Sequence, residues 1–101
     1  MNLFYRPRFW QDIADTEFWL MENATPEIAD RWHEALVATI QELDRNPFFG
    51  RERRDVAHAG IRSWLVKGFP RWVIFYAARG DDLIFFRVVS GAMNIHALRF
   101  D

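Results

Sequence analysis

The 101-residue chain contains no cysteine, which excludes a disulfide framework, a thiolate metal site and a cysteine nucleophile. No apolar run approaches the roughly 18 residues of a membrane span. The opening Met1-Asn2-Leu3-Phe4-Tyr5-Arg6 lacks the charged-then-apolar layout of a signal peptide. A cytoplasmic protein with no membrane association is therefore expected. The three histidines, His33, His58 and His96, lie in separate segments without ligand-spaced partners, so no metal site is expected. Ser63 and Ser90 lack a Gly-x-Ser-x-Gly frame, and no glycine pattern suits a phosphate, so no cofactor is expected. Repeats, linkers and low-complexity segments are absent too, and residues 1–101 read as a single domain.

What the chain has is apolar mass. Half of it is hydrophobic, with ten phenylalanines and five tryptophans, enough for one core at this length. Its charge is unevenly spread. Residues 1–50 carry four arginines against nine acidic residues, net −5, whereas residues 51–101 carry nine basic against five acidic, net +4. That asymmetry points either to an acidic or nucleic-acid partner for the basic half or to neutralisation across the fold.

Leu3 to Arg6, ending at Pro7, suits a short strand. A first helix is expected from about Arg8 to Glu22, with Phe9, Ile13, Thr16 and Leu20 on one stripe and Asp12, Asp15 and Glu17 on the wet side. Thr25 as cap and Pro26 at the first helical position start a second helix. Its buried stripe is Ala29, Trp32, Leu36, Ile40 and Leu43, and Asn46-Pro47 stops it, since a residue before proline is pushed out of the α region. A basic loop spans residues 47–60. Three strands follow at about Ile61–Lys67, Arg71–Ala77 and Leu83–Ser90, divided by Gly68-Phe69-Pro70 and Gly80-Asp81-Asp82. The last two are apolar at nearly every position, as central strands covered on one side by helices would be. Val73 and Phe75, or Ile84, Phe86 and Val88, are candidates for the core layer, and Ala92 to Asp101 reads as a short helix or extended tail. The predicted order is β-α-α-β-β-β, an α+β fold with a helical hairpin on a small, mainly antiparallel sheet.

One constellation is suited to carry function: Arg51, Arg53, Arg54, Arg62, Lys67, Arg71 and Arg87. These side chains either engage phosphates or carboxylates bidentately or form a solvated face with local ion pairs to Glu52 and Asp55. The tryptophans suit base stacking or core filling equally on chemical grounds; core is favoured for Trp32, and Trp64, beside Arg62 on a strand face, stays open.

Taken in order, Asp12-Ile13, Ala29 to Leu43, Asn46-Pro47 with Gly50-Arg51, Ile61-Arg62-Ser63, Arg71 to Tyr76 and Arg87-Val88-Val89-Ser90-Gly91 resemble the ParE/RelE superfamily, the toxins of bacterial type II toxin–antitoxin pairs. The last segment favours the ParE branch, which implies a plasmid-stabilization type of toxin that poisons DNA gyrase and is held inactive by a cognate, ParD-like antitoxin in a hetero-oligomer. The RelE branch would imply instead a ribosome-dependent, metal-independent mRNA endonuclease, in which basic side chains stabilise the developing phosphate charge. Arg62 and Arg71 fall where its sheet members would lie, and His96 is the substitute acid or base. Against that branch, Met93 stands in the approximate place of the tail arginine and Phe100 lacks the hydroxyl of a tail tyrosine. A third reading is a degenerate toxin that only binds antitoxin. For the ParE-like reading the resemblance implies target or antitoxin contacts from Arg51, Arg53, Arg54, Arg62, Trp64, Arg71 and Arg87. In the tail, Met93, Ile95, Leu98 and Phe100 would form an adaptable apolar surface with Arg99 as an anchor; alternatively, Ile95 and Leu98 only seal the sheet against the helices.

Overall fold

Thr25 accepts a hydrogen bond from the Ile28 N–H at 3.1 Å, and Pro26 opens a 20-residue helix with Glu27 in its first turn. In the computed structural model, which describes every residue except Ala92, this is α2 (Pro26–Arg45). It is preceded by β1 (Asn2–Tyr5) and α1 (Pro7–Asn23) and followed by β2 (Arg51–Glu52), β3 (Arg62–Val66), β4 (Phe69–Arg79) and β5 (Asp82–Ser90). One 3-10 turn, Ile95–Ala97, begins an otherwise extended tail; Ala92, where the tail was expected to start, lies outside the described residues.

The α+β arrangement matches the expectation, with two changes. The basic loop contributes a two-residue edge strand, β2, and β4 begins at Phe69, inside the expected turn. The five-stranded sheet has the order β1-β5-β4-β3-β2. Only β1 runs parallel to its neighbour, pairing Asn2–Tyr5 with Asp82–Phe85. A two-residue turn, Gly80-Asp81, joins β4 to β5, and Gly80 supplies its positive φ of 59°.

Apolar layers cover the sheet on both sides, not one. Toward the helices, Ile74, Tyr76, Leu83, Phe85 and Val88 meet Phe9, Leu20, Trp32, Leu36 and Leu43. On the opposite face Ile61, Phe75, Ala77, Phe86 and Val89 are covered by Leu98 and Phe100, with Ile95 and Val56 at the margin. The tail therefore seals the face remote from the helices. Of the residues expected to supply the core layer, Val73, Phe75, Ile84 and Phe86 lie on the face away from the helices and Val88 alone faces them, because β5 has a bulge: Phe75 opposes Arg87 and Tyr76 opposes Phe85, leaving Phe86 as the extra residue. Phe85 and Val88 consequently both face the helices although they are three residues apart.

A second irregularity interrupts β3–β4. Leu65 opposes Val73, but the next residue, Val66, opposes Phe69, so Pro70-Arg71-Trp72 loops out of the ladder. Trp72 is thereby turned onto Trp19 and Trp32, with ring centroids 6.3 and 6.2 Å away in edge-on geometry. Arg71 remains exposed at the rim.

Gly50 marks the tightest backbone approach. Its N–H donates to the Tyr76 hydroxyl (2.9 Å), and that hydroxyl donates to the Pro47 carbonyl (2.8 Å), which locks the chain leaving α2 under the sheet. Burial pushes the Tyr76 hydroxyl above its ordinary pKa. A β-carbon on Gly50 would stand 2.5 Å from that hydroxyl and 2.8 Å from the Ser63 carbonyl oxygen. Gly50→Ala should cost about 1–3 kcal/mol in denaturant unfolding. Adding Tyr76→Phe should not restore stability, because the Ser63 carbonyl clash remains; full recovery would show that the hydroxyl alone sets the glycine requirement.

Candidate partner-binding site

Helix α1 brings an acid into the interior. Asp12, expected on the wet side, is only 8 % exposed. Its carboxylate accepts Arg87 Nε at 2.8 Å and Nη2 at 2.9 Å, and also the Val88 N–H at 3.0 Å. The latter is available because β1 ends opposite Phe85, leaving the upper part of β5 unpaired on that side, while β4 pairs with the other. Arg87 Nη1 donates to the Arg99 carbonyl at 3.2 Å, tying the tail to the same point. These contacts hold the Arg87 guanidinium above its ordinary pKa, with the Asp12 hydrogen bonds the largest cause. Arg87, expected as a partner contact, is a buried structural arginine.

The remaining basic residues separate in the same way. Arg53, also only 8 % exposed, donates to both Asp55 oxygens (2.8 and 2.6 Å) and to Ser63 Oγ (3.1 Å), and lies over the Phe75 ring at 5.5 Å. Arg62 is half-buried; its Nη1 donates to the Gly50 carbonyl at 2.8 Å and its guanidinium lies over Phe48. Arg54 is exposed and only loosely associated with Glu52, at 3.8 Å. Arg51 and Arg71 are exposed and form no salt bridge among the described residues. Arg99 also projects outward, 3.6 Å from Asp101. The expected apolar tail surface divides: Leu98 and Phe100 are buried, Ile95 is half-buried, and Met93 alone is largely open. Trp64 is half-buried, its indole N–H held by Glu42 at 3.2 Å.

Arg71, Arg87 and Met93 do converge. They line a cleft of about 410 Å³ between α1 and the β4–β5 rim. Helix α1 contributes Asp12, Asp15, Thr16 and Trp19 to its lining, and the strands contribute Trp72, Val88, Val89 and Ser90 beside Arg71 and Arg87. Trp19 and Met93 are each 47 % exposed, so apolar side chains stand beside the exposed Arg71 cation and the Asp15 carboxylate. Trp19 and Thr16 were not singled out as site residues. The available signal was a tryptophan beside, not on, the buried stripe of α1.

No described cleft gathers the residues expected for a ribonuclease. Among the four principal clefts only this one contains any of Arg62, Arg71 and His96, and it contains Arg71 alone. His96 is exposed in the 3-10 turn. No group of three histidine or carboxylate side chains suited to a metal occurs among the described residues, and no described helix is long and apolar enough to cross a membrane.

The Arg53 hydrogen bonds hold the Asp55 carboxyl well below the usual carboxylate range. A depressed folded-state pKa means the contact contributes fully above about pH 4 and is lost as pH falls through the folded value. A carbon-13 titration should find Asp55 still ionised where an ordinary aspartate has protonated. A normal titration would contradict this pairing.

Comparison with known proteins agrees with this architecture. The family model described as the ParE toxin of the type II toxin–antitoxin system parDE matches residues 3–95. Toxin ParE3 of Caulobacter vibrioides is 29 % identical over 76 residues, covering 75 % of this chain and 72 % of that protein. A chain from the chromosomal ParDE toxin–antitoxin system of P. aeruginosa superposes with a TM-score of 0.74 over 89 % of this chain and 95 % of its own length, at 16 % identity, a likeness of fold. With its helical hairpin, mixed sheet and near-complete family match, the chain belongs to the ParE toxin family of type II toxin–antitoxin systems.

Proposed function

We propose that this toxin acts in the cytoplasm by binding and inhibiting DNA gyrase, needs no cofactor, and is neutralised by a cognate ParD-like antitoxin in a hetero-oligomeric complex. The observation that carries the reading is the cleft between α1 and the β4–β5 rim. It offers exposed Trp19 and Met93 around the Arg71 guanidinium, with the exposed Asp15 carboxylate also on its lining, while its buried acid–base pair, Asp12 and Arg87, is internally satisfied. Such a surface suits recognition by an aromatic anchor and a charge. Metal-free RNA cleavage would need basic side chains gathered on the reacting phosphate, whereas Arg62 is half-buried with Nη1 directed to the Gly50 carbonyl, and neither Arg62 nor His96 lines this cleft. Kinship with ParE proteins, one of them from a ParDE system, supports the antitoxin as partner.

Purified toxin added to gyrase and relaxed plasmid should block supercoiling, and the co-purified antitoxin should restore it. Trp19→Ala and Arg71→Ala should each weaken inhibition about ten-fold or more, as losses at interface anchors do; Arg71→Ala should leave the melting temperature unchanged, while Trp19→Ala should lower it modestly through lost packing on Trp72. Codon-phased cuts in message on translating ribosomes, with supercoiling unaffected, would favour the RelE-like endonuclease. Antitoxin binding with neither effect would leave a degenerate toxin.

A further inference from the structure

Three guanidiniums from distant parts of the chain meet in a groove outside the Arg71 cleft. Arg6, Arg79 and Arg99 line about 680 Å³ on the sheet face remote from the helices, and none of the groove's lining residues belongs to that cleft. Main-chain contacts fix where each arm starts. The Arg6 N–H donates to the Phe85 carbonyl at 2.9 Å, extending the β1–β5 pairing by one residue. Arg79 ends β4 opposite Asp82. The Arg99 carbonyl accepts Arg87 Nη1 at 3.2 Å, and its own side chain projects from the tail.

Little of the positive charge is compensated. All three arginines are exposed, and Arg6 and Arg79 form no salt bridge among the described residues. Asp82, although opposite Arg79, accepts the Asn2 side-chain amide at 3.2 Å. Asp101 is the carboxylate on the lining; it accepts Arg8 Nε at 2.8 Å and stands 3.6 Å from Arg99. Arg8, which does not line the groove, thus offsets Asp101 and leaves three cations facing solvent.

The aromatic groups of the groove are covered. Phe86 and Phe100 are 5 % and 7 % exposed, and the His58 ring lies on Phe86 with centroids 5.3 Å apart. An acidic peptide would find little apolar anchorage here, and exposed ion pairs alone contribute little to a protein contact. A single-stranded nucleic acid would find no open phenylalanine ring to stack on. A duplex backbone needs neither, because neutralising its phosphates releases condensed counterions and a guanidinium can hold a phosphate bidentately.

We infer that this groove holds the phosphate backbone of duplex DNA, without sequence preference. The choice of DNA over duplex RNA rests on the gyrase reading above, since a toxin seated on gyrase stands beside the duplex which that enzyme handles. Phosphate contacts set position and affinity but carry no base information.

The test is anisotropy of a short fluorescent DNA duplex titrated with the full chain over a range of salt. Gyrase is left out, so failure here is separate from failure of the gyrase reading, which the supercoiling assay decides. The logarithm of the binding constant should fall against that of salt with a slope of about −2.7, about −0.9 for each of three phosphates. Arg6→Gln and Arg79→Gln should each weaken binding about five- to ten-fold at low salt and remove about 0.9 from the slope. Arg31→Gln, at an exposed arginine of α2 outside the groove, should change neither. Asp101→Asn removes the opposing carboxylate and should tighten binding, which keeps the test decisive if an arginine variant unfolds. Absence of binding at low salt, or binding indifferent to Arg6, Arg79 and Asp101, overturns the inference. So does tighter binding of polyglutamate, which would assign the groove to an acidic protein segment, or of single-stranded or duplex RNA.

Discussion

Asp12 and Arg87 form the tie on which the rest of the molecule depends. One carboxylate holds a guanidinium bidentately and caps the unpaired Val88 N–H, while the same guanidinium holds the Arg99 carbonyl. Helix α1, the open upper edge of β5 and the tail thus meet at one buried point. Two buried charges are costly to desolvate and are retained where geometry and extra hydrogen bonds offset that cost. Here the backbone supplies those extra bonds. The pair also spans the sheet edge, linking the helix-side core to the tail-side core, which side-chain packing within either layer cannot do.

Irregular pairing then determines what is displayed. The extra residue at Phe86 lets β5 feed both cores, and the looped-out Pro70-Arg71-Trp72 separates a buried tryptophan from an exposed arginine next to it in sequence. Early termination of β2 leaves Leu65 exposed. The regular parts of the sheet are buried scaffold, while the looped-out segment borders the exposed Arg71 cleft, consistent with irregular pairing re-aiming side chains.

Much of this was legible in the chain. Thr25-Pro26 starts α2 and Asn46-Pro47 stops it by local sterics alone, so those boundaries needed no tertiary knowledge. Dense apolar strands implied a central sheet, although covering on both faces produces the same composition as deeper covering on one. What stayed hidden depended on distant partners. Asp12 shares the polar character of Asp15 and Glu17, and only Arg87, 75 positions away, explains its burial. Arg87 looks no different in sequence from Arg51 and Arg71, whereas Asp55, two residues from Arg53, offers that arginine a local ion pair that the sequence shows. Pairing with Asp55 and Asp12 removes Arg53 and Arg87 from the surface, and its absence leaves Arg51 and Arg71 available. The tail's role was half legible: Leu98 and Phe100 seal the sheet, but on the face away from the helices.

A double-mutant cycle on Asp12→Ala and Arg87→Ala, read by denaturant unfolding, addresses the tie itself. If the pair joins α1, β5 and the tail, each single variant should lose about 3–5 kcal/mol, because it leaves its partner buried and uncompensated. The double variant should lose little more than either single one, giving a coupling nearly as large as one single loss, about 3–4 kcal/mol, and amides from Ile95 to Phe100 should exchange faster in all three. Small, additive losses with the tail still protected, accompanied by weaker partner binding in Arg87→Ala, would contradict this and return Arg87 to the interaction surface.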